Sequence, residues 1–72
     1  MTAAEWIQEF CDEIGMPAPT EEETEAILRL AAVAAHASER TAAPVACWIS
    51  GVSGKPLAEL ETAAEGLGNR KD

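Results

Sequence analysis

With 72 residues, 5 Lys or Arg against 13 Asp or Glu, and a net charge of −8, the chain has room for one small domain and excludes the multi-lobed architecture that encloses a nucleotide. The acidic balance repels a phosphate backbone, which sets aside nucleic acid and anionic membrane surfaces as partners. Abundant alanine and singly scattered β-branched residues favour helix over strand.

In chain order, the first predicted element is "TAAEWIQEFCDEIG", where Thr2 caps, Glu5 completes a capping box and Gly15 terminates. At roughly 100° per residue, Ala3, Trp6, Ile7, Phe10, Cys11 and Ile14 share an apolar arc opposite Glu5, Gln8, Glu9 and Asp12. Pro17 and Pro19 in "MPAP" break the chain. Thr20 and Glu23 then repeat the capping box, and Glu21, Glu22, Glu23 and Glu25 place negative charge at the positive end of a second helix. That acidic cluster is read as a helix start, not as a metal site. The second helix is expected to run from about Glu21 to about Ser38. Its narrow polar stripe marks it as the central element, touching neighbours on several sides.

"ERTAAP" forms the next turn, with Thr41 as an expected cap and Pro44 in the first turn of a short third helix. Val45, Trp48, Ile49 and Val52 follow at i, i+3, i+4 and i+7 and are expected to be a buried face. Gly51 within that helix points to a close interhelical contact or an early end. "SGVSGKP" carries a glycine-lysine pair, yet a phosphate-cradling loop needs a first glycine where Ile49 stands and a hydroxyl where Pro56 stands, after a strand. The segment reads instead as a helix-to-helix connection, with Gly54 free to adopt a left-handed conformation and Pro56 opening a last helix. That helix sets Leu57, Leu60, Ala64 and Leu67 against Glu59, Thr62 and Glu65. Residues 1–68 make one helical domain, and 69–72 are expected to be a disordered tail.

Cys11 and Cys47 are too few for a disulfide framework and lack zinc-ligand neighbours, so they read as small buried hydrophobes. Trp6 and Trp48 are expected to pack together in the core, with an interface anchor as the alternative. His36 shares the polar stripe with Glu22, Glu25, Arg29 and, if the helix persists, Arg40; Glu25 and Arg29 form an expected i, i+4 ion pair. Arg29, His36 and Arg40 thereby make a short basic strip that suits an acidic partner or one anion, with Lys55 a second candidate contact. The lone histidine has no nucleophile or second metal ligand at catalytic spacing, so no enzyme, metal or cofactor is expected. No apolar run approaches the roughly 20 residues that cross a bilayer, and no leader-like segment opens the chain, so a cytoplasmic protein is expected.

From Ala35 onward, "AHASERTAAPVACWISGVSGKP" carries Ala35-His36, Arg40, Ala43-Pro44, Gly51 and Gly54, and the chain opens with Trp6 on an acidic amphipathic helix. In these features it resembles a small actinobacterial helical domain of uncharacterised function, which occurs alone or as a carboxy-terminal extension of a molybdopterin-guanine dinucleotide transferase-like protein. The resemblance implies an accessory role near molybdenum cofactor biosynthesis, without the transferase reaction, and assigns no active residues.

The fold expected is an all-α compact bundle of four short helices with the second at its centre. The leading functional expectation is a non-catalytic interaction module with a protein partner, perched on Arg29, His36 and Arg40 or on Lys55. A small anionic-ligand domain near His36 and Lys55, or a structural homodimer, are the alternatives.

Overall fold

The computed structural model describes residues 1–68, which form four helices: α1 (Ala3–Ile14), α2 (Glu21–Ala37), α3 (Ala42–Ser53) and α4 (Leu57–Gly68). The all-α expectation therefore stands, while the tail expected at 69–72 lies outside the described residues. α2 packs against both α3 and α4, and these are the main helix contacts. Among the described residues α1 makes no helix contact of comparable extent.

Both capping boxes form as the sequence dictates. At the start of α1 the Glu5 N–H donates to Thr2 Oγ1 at 3.1 Å, and the Thr2 N–H donates to Glu5 Oε1 at 2.7 Å. Thr20 and Glu23 reproduce both bonds at 3.1 and 2.8 Å at the start of α2. Each box satisfies two amide groups that a helix start otherwise leaves without a partner. α1 closes on Gly15 at φ 74, whose N–H and that of Met16 donate to the carbonyls of Asp12 and Cys11. α3 closes likewise on Gly54 at φ 69.

The Thr2 N–H, and then the Thr2 hydroxyl, hold the Glu5 carboxyl below the usual carboxylate range. A carboxyl whose folded pKa is depressed stabilises the fold above its unfolded value and ceases to do so as pH falls through the folded one. Acidification below the ordinary carboxylate range should therefore fray the first turn of α1. Lower protection of the Thr2 and Glu5 amide protons, relative to their intrinsic exchange rates at each pH, would register it, and Glu5→Gln should remove the acid response. An unchanged acid response in that variant would assign the fraying to another group.

α3 departs from the expected entry. Thr41 lies in the helical region, at φ −67 and ψ −18, and its side chain caps nothing. A capping side chain needs an extended backbone to reach forward. Here the chain turns earlier, with Ala42 and Ala43 N–H donating to the carbonyls of Glu39 and Arg40 at 2.9 and 3.2 Å. Gly51 marks neither an early end nor a close contact, since α3 continues to Ser53 and a Cβ placed on Gly51 would meet nothing within 4 Å.

The largest correction concerns which side of α3 faces in. Val45, Trp48, Ile49 and Val52, expected to be buried, are all more than half exposed. Half-buried instead are Ala43, Ala46, Cys47 and Ser50, which form a second stripe at the same i, i+3, i+4, i+7 spacing. Small side chains on this stripe, with Ala31, Ala34 and Ala35 half-buried on α2, permit a close approach of the two helices. A seam of valine, isoleucine and tryptophan would hold them further apart.

Among the described residues only Leu30, at 4 % exposure, and Cys11, at 6 %, are buried hydrophobic residues. Half-buried Ile27, Val33 and Leu57 line the same interhelical clefts as Leu30, and Leu60 of α4 is half-buried as well. Trp6 and Trp48 do not share a core: they are 55 % and 70 % exposed, and Trp6 stacks on Phe10 of its own helix, with ring centroids 5.2 Å apart.

Candidate functional site

A molecule of 7.6 kDa that folds alone usually keeps roughly 4,300 Å² of accessible surface. This chain keeps 5792 Å². Two apolar faces stand exposed on it. On α3 the outward stripe of Val45, Trp48, Ile49 and Val52 spans two turns of a helix whose twelve residues, AAPVACWISGVS, include no charged side chain. On α1 the stacked Trp6 and Phe10 are followed by Ile14 at the next i+4 position and by Met16, all half-exposed or more. Contiguous exposed apolar faces of this kind mark contact surfaces, and tryptophan is among the side chains most enriched at their energetic centres.

Two apolar clefts lie between the helices. The first, about 350 Å³, is lined by Ile27 and Leu30 of α2, Cys47 and Gly51 of α3, Lys55 of the α3–α4 connection and Leu57 of α4. The second, about 340 Å³, is bounded by Leu30 and Val33, by Ala42 and Ala46, and by Ala64 and Leu67. A wider opening of about 540 Å³ is lined by Thr20, Glu21, Glu22 and Glu25 at the start of α2. There the carboxylates complement the helix dipole. Among the described residues no group of three or more His, Cys, Asp or Glu is placed to hold a metal ion.

The four basic candidates from the sequence fall at different places. Arg29 does not pair with Glu25; its Nε donates to Glu61 Oε2 on α4 at 3.1 Å, a cross-helix bond that ties α2 to α4. Its side chain remains 57 % exposed, and the partner Glu61 is 24 % exposed. His36 is exposed in the last turn of α2, where positive charge suits the negative end of a helix. Arg40 lies beyond the end of α2, in the turn that opens α3, so the helical strip is shorter than expected. Lys55 follows α3, and its Nζ stands 3.8 Å from Glu59 Oε1. Arg40 and Lys55 thus bracket α3 at its two ends, with about 18 Å of helix between them.

The connection holding Lys55 is tightly bonded. Ser53 Oγ donates to the Ser50 carbonyl at 2.7 Å and accepts the Lys55 N–H at 3.2 Å. The last turn of α3, Gly54 and Lys55 therefore form a helix-to-helix connection, in agreement with the reading of "SGVSGKP". What the sequence reasoning did not find is the outward stripe of α3. The available signal was the pairing of two stripes, one large and one small, on a helix with no charge.

A family model described as "Domain of unknown function (DUF6457)" matches residues 1–69, and the chain belongs to that family. Comparisons with curated proteins and with solved structures find no match.

Proposed function

We propose that this domain is a non-catalytic protein-interaction module whose partner seats on apolar helix surface that its own fold leaves uncovered. The observation that carries the reading is the exposed aromatic face of α1, with Trp6 at 55 % and Phe10 at 50 % exposure. Burying an aromatic pair of this kind is a large favourable term in most interfaces. Arg40, His36 and Lys55 are exposed at the ends of α2 and α3 and offer polar contacts to the same partner, whereas Arg29 is already engaged with Glu61.

For the biological setting, the similarity in "AHASERTAAPVACWISGVSGKP" and the opening helix supports an actinobacterial, cytoplasmic accessory protein. Its partner would be a molybdopterin-guanine dinucleotide transferase-like enzyme. A second reading, an anionic-ligand domain, draws its support from Lys55 at the edge of the 350 Å³ cleft.

Pull-down of such an enzyme by the tagged chain tests the first reading. Trp6→Ala should weaken capture at least tenfold, the scale of an interface anchor, and Arg40→Glu should weaken it severalfold, each with unchanged helical circular dichroism. Capture unaffected by both variants removes these surfaces from consideration. Thermal shift with nucleotides and molybdopterin-type compounds tests the second, because a ligand that binds only the folded form raises its melting temperature.

A further inference from the structure

We infer that the outward stripe of α3 is the contact between two copies of this chain, packed with their α3 helices antiparallel about a two-fold axis near Trp48 and Ile49. This extends the interaction-module reading to a second helix and a second occupant, and it rests on the same premise that uncovered apolar faces are contact surfaces.

Three observations select a second copy. The first is the face itself. Val45, Trp48, Ile49 and Val52 lie on one stripe of α3 and are 55–70 % exposed, a contiguous apolar face of the kind that marks a contact surface, and it is separate from the α1 face.

The second is charge. A chain of net charge −8 resists self-association wherever its acids meet, and carboxylates stud α1 and the first turn of α2. α3 alone contributes no charged side chain, so it is the one helix face on which two copies meet without repulsion. A two-fold contact places the same patch on itself, which makes this absence of charge decisive.

The third is the polarity of the two ends. Glu39 and Arg40 lie just before α3, and Lys55 just after it, with Glu59 beside Lys55. Antiparallel packing brings the partner subunit's Lys55 toward Glu39 and the partner subunit's Glu59 toward Arg40. Symmetry repeats both pairings at the other end. Parallel packing would put Lys55 against the partner subunit's Lys55, so the charges fix direction as well as contact.

Sedimentation velocity on the full 72-residue chain, from micromolar to near-millimolar concentration, is the test. A monomer–dimer equilibrium is expected. Trp48→Glu should raise its dissociation constant on the order of a hundredfold, the range of a central interface residue, with helical circular dichroism intact because Trp48 is 70 % exposed. Glu39→Lys and Lys55→Glu should each weaken the dimer, and the double variant should recover it, a result that only the antiparallel pairing produces. In a Trp6→Phe background Trp48 is the sole indole, and its emission should move to the blue as the dimer forms. A chain that stays monomeric throughout overturns the proposal and leaves docking on α1 standing. A dimer unmoved by Trp48→Glu, or a double variant weaker than either single one, also overturns it. A dimer that forms as described while no partner is captured through Trp6 counts against the α1 reading alone.

Discussion

Leu30→Ala is expected to destabilise the domain by about 2–5 kcal/mol, the range for a buried leucine truncated to alanine. Among the described residues no other large apolar side chain is as fully enclosed: Leu30 is 4 % exposed and lines both clefts between α2, α3 and α4, of about 350 and 340 Å³. Removing it joins two existing spaces instead of opening a sealed one, so the neighbours have little to collapse onto. A domain of this length has a total stability of roughly 4–11 kcal/mol, so a loss near the middle of the range consumes a large part of it. In melting temperature, each 1 kcal/mol corresponds to about 4–8 °C for a domain of this size. The control lies two residues away. Leu28 belongs to the same helix and is 62 % exposed, so Leu28→Ala should change stability by no more than about 0.5 kcal/mol. Chemical denaturation of both variants beside the parent measures the contrast. Equal losses would show that α2 is held by something other than the junction at Leu30.

Features decided within a few residues were legible in the sequence. The boxes at Thr2–Glu5 and Thr20–Glu23, and the left-handed glycines at 15 and 54, follow from local hydrogen-bonding chemistry, and each forms at the residues expected. The position of α2 at the centre followed from its narrow polar stripe. Legibility ended where the answer depended on another helix. On α3, Val45, Trp48, Ile49 and Val52 lie roughly 160° around the axis from Ala43, Ala46, Cys47 and Ser50, and both stripes carry helical periodicity. Periodicity detects that a helix has a preferred side only when its other side is polar, and α3 has no polar side. The stripe of small side chains is the one that turns inward, toward alanine-rich α2, where small side chains on both helices favour close packing. The same reasoning explains Arg29: Glu25 is its neighbour along the helix, but Glu61 reaches it from α4, and no local pattern announces a residue 32 positions away. Of the candidate contacts, Arg40 was tied to a helix that ends at Ala37, and Lys55 was noticed for a phosphate motif it does not complete. Its place at one end of an uncharged helix became visible only with the fold.

Gly51→Ala and Gly54→Ala should shift stability in opposite directions, although the two glycines are three residues apart and a methyl group at either would meet nothing within 4 Å. With sterics equal, the backbone alone decides. Gly51 is helical, and alanine there is expected to stabilise the domain by about 0.8–1.0 kcal/mol, because glycine loses more conformational freedom on entering a helix. Gly54 is left-handed, at φ 69, where a Cβ crowds the carbonyl; alanine there should cost about 1–2 kcal/mol. Asparagine tolerates that conformation better than alanine, so the melting temperatures at position 54 should fall in the order Gly, Asn, Ala. The pair also bears on the dimer. Gly51 borders the cleft that holds Lys55, and Gly54 sets the direction in which Lys55 leaves α3. Gly51→Ala should therefore raise stability without weakening the proposed self-association, whereas Gly54→Ala should weaken both, since it displaces the lysine proposed to meet the partner subunit's Glu39. If Gly51→Ala instead lowers stability, the open space beside it is filled in solution, and a bound molecule in the cleft between α2 and α3 becomes the explanation to pursue.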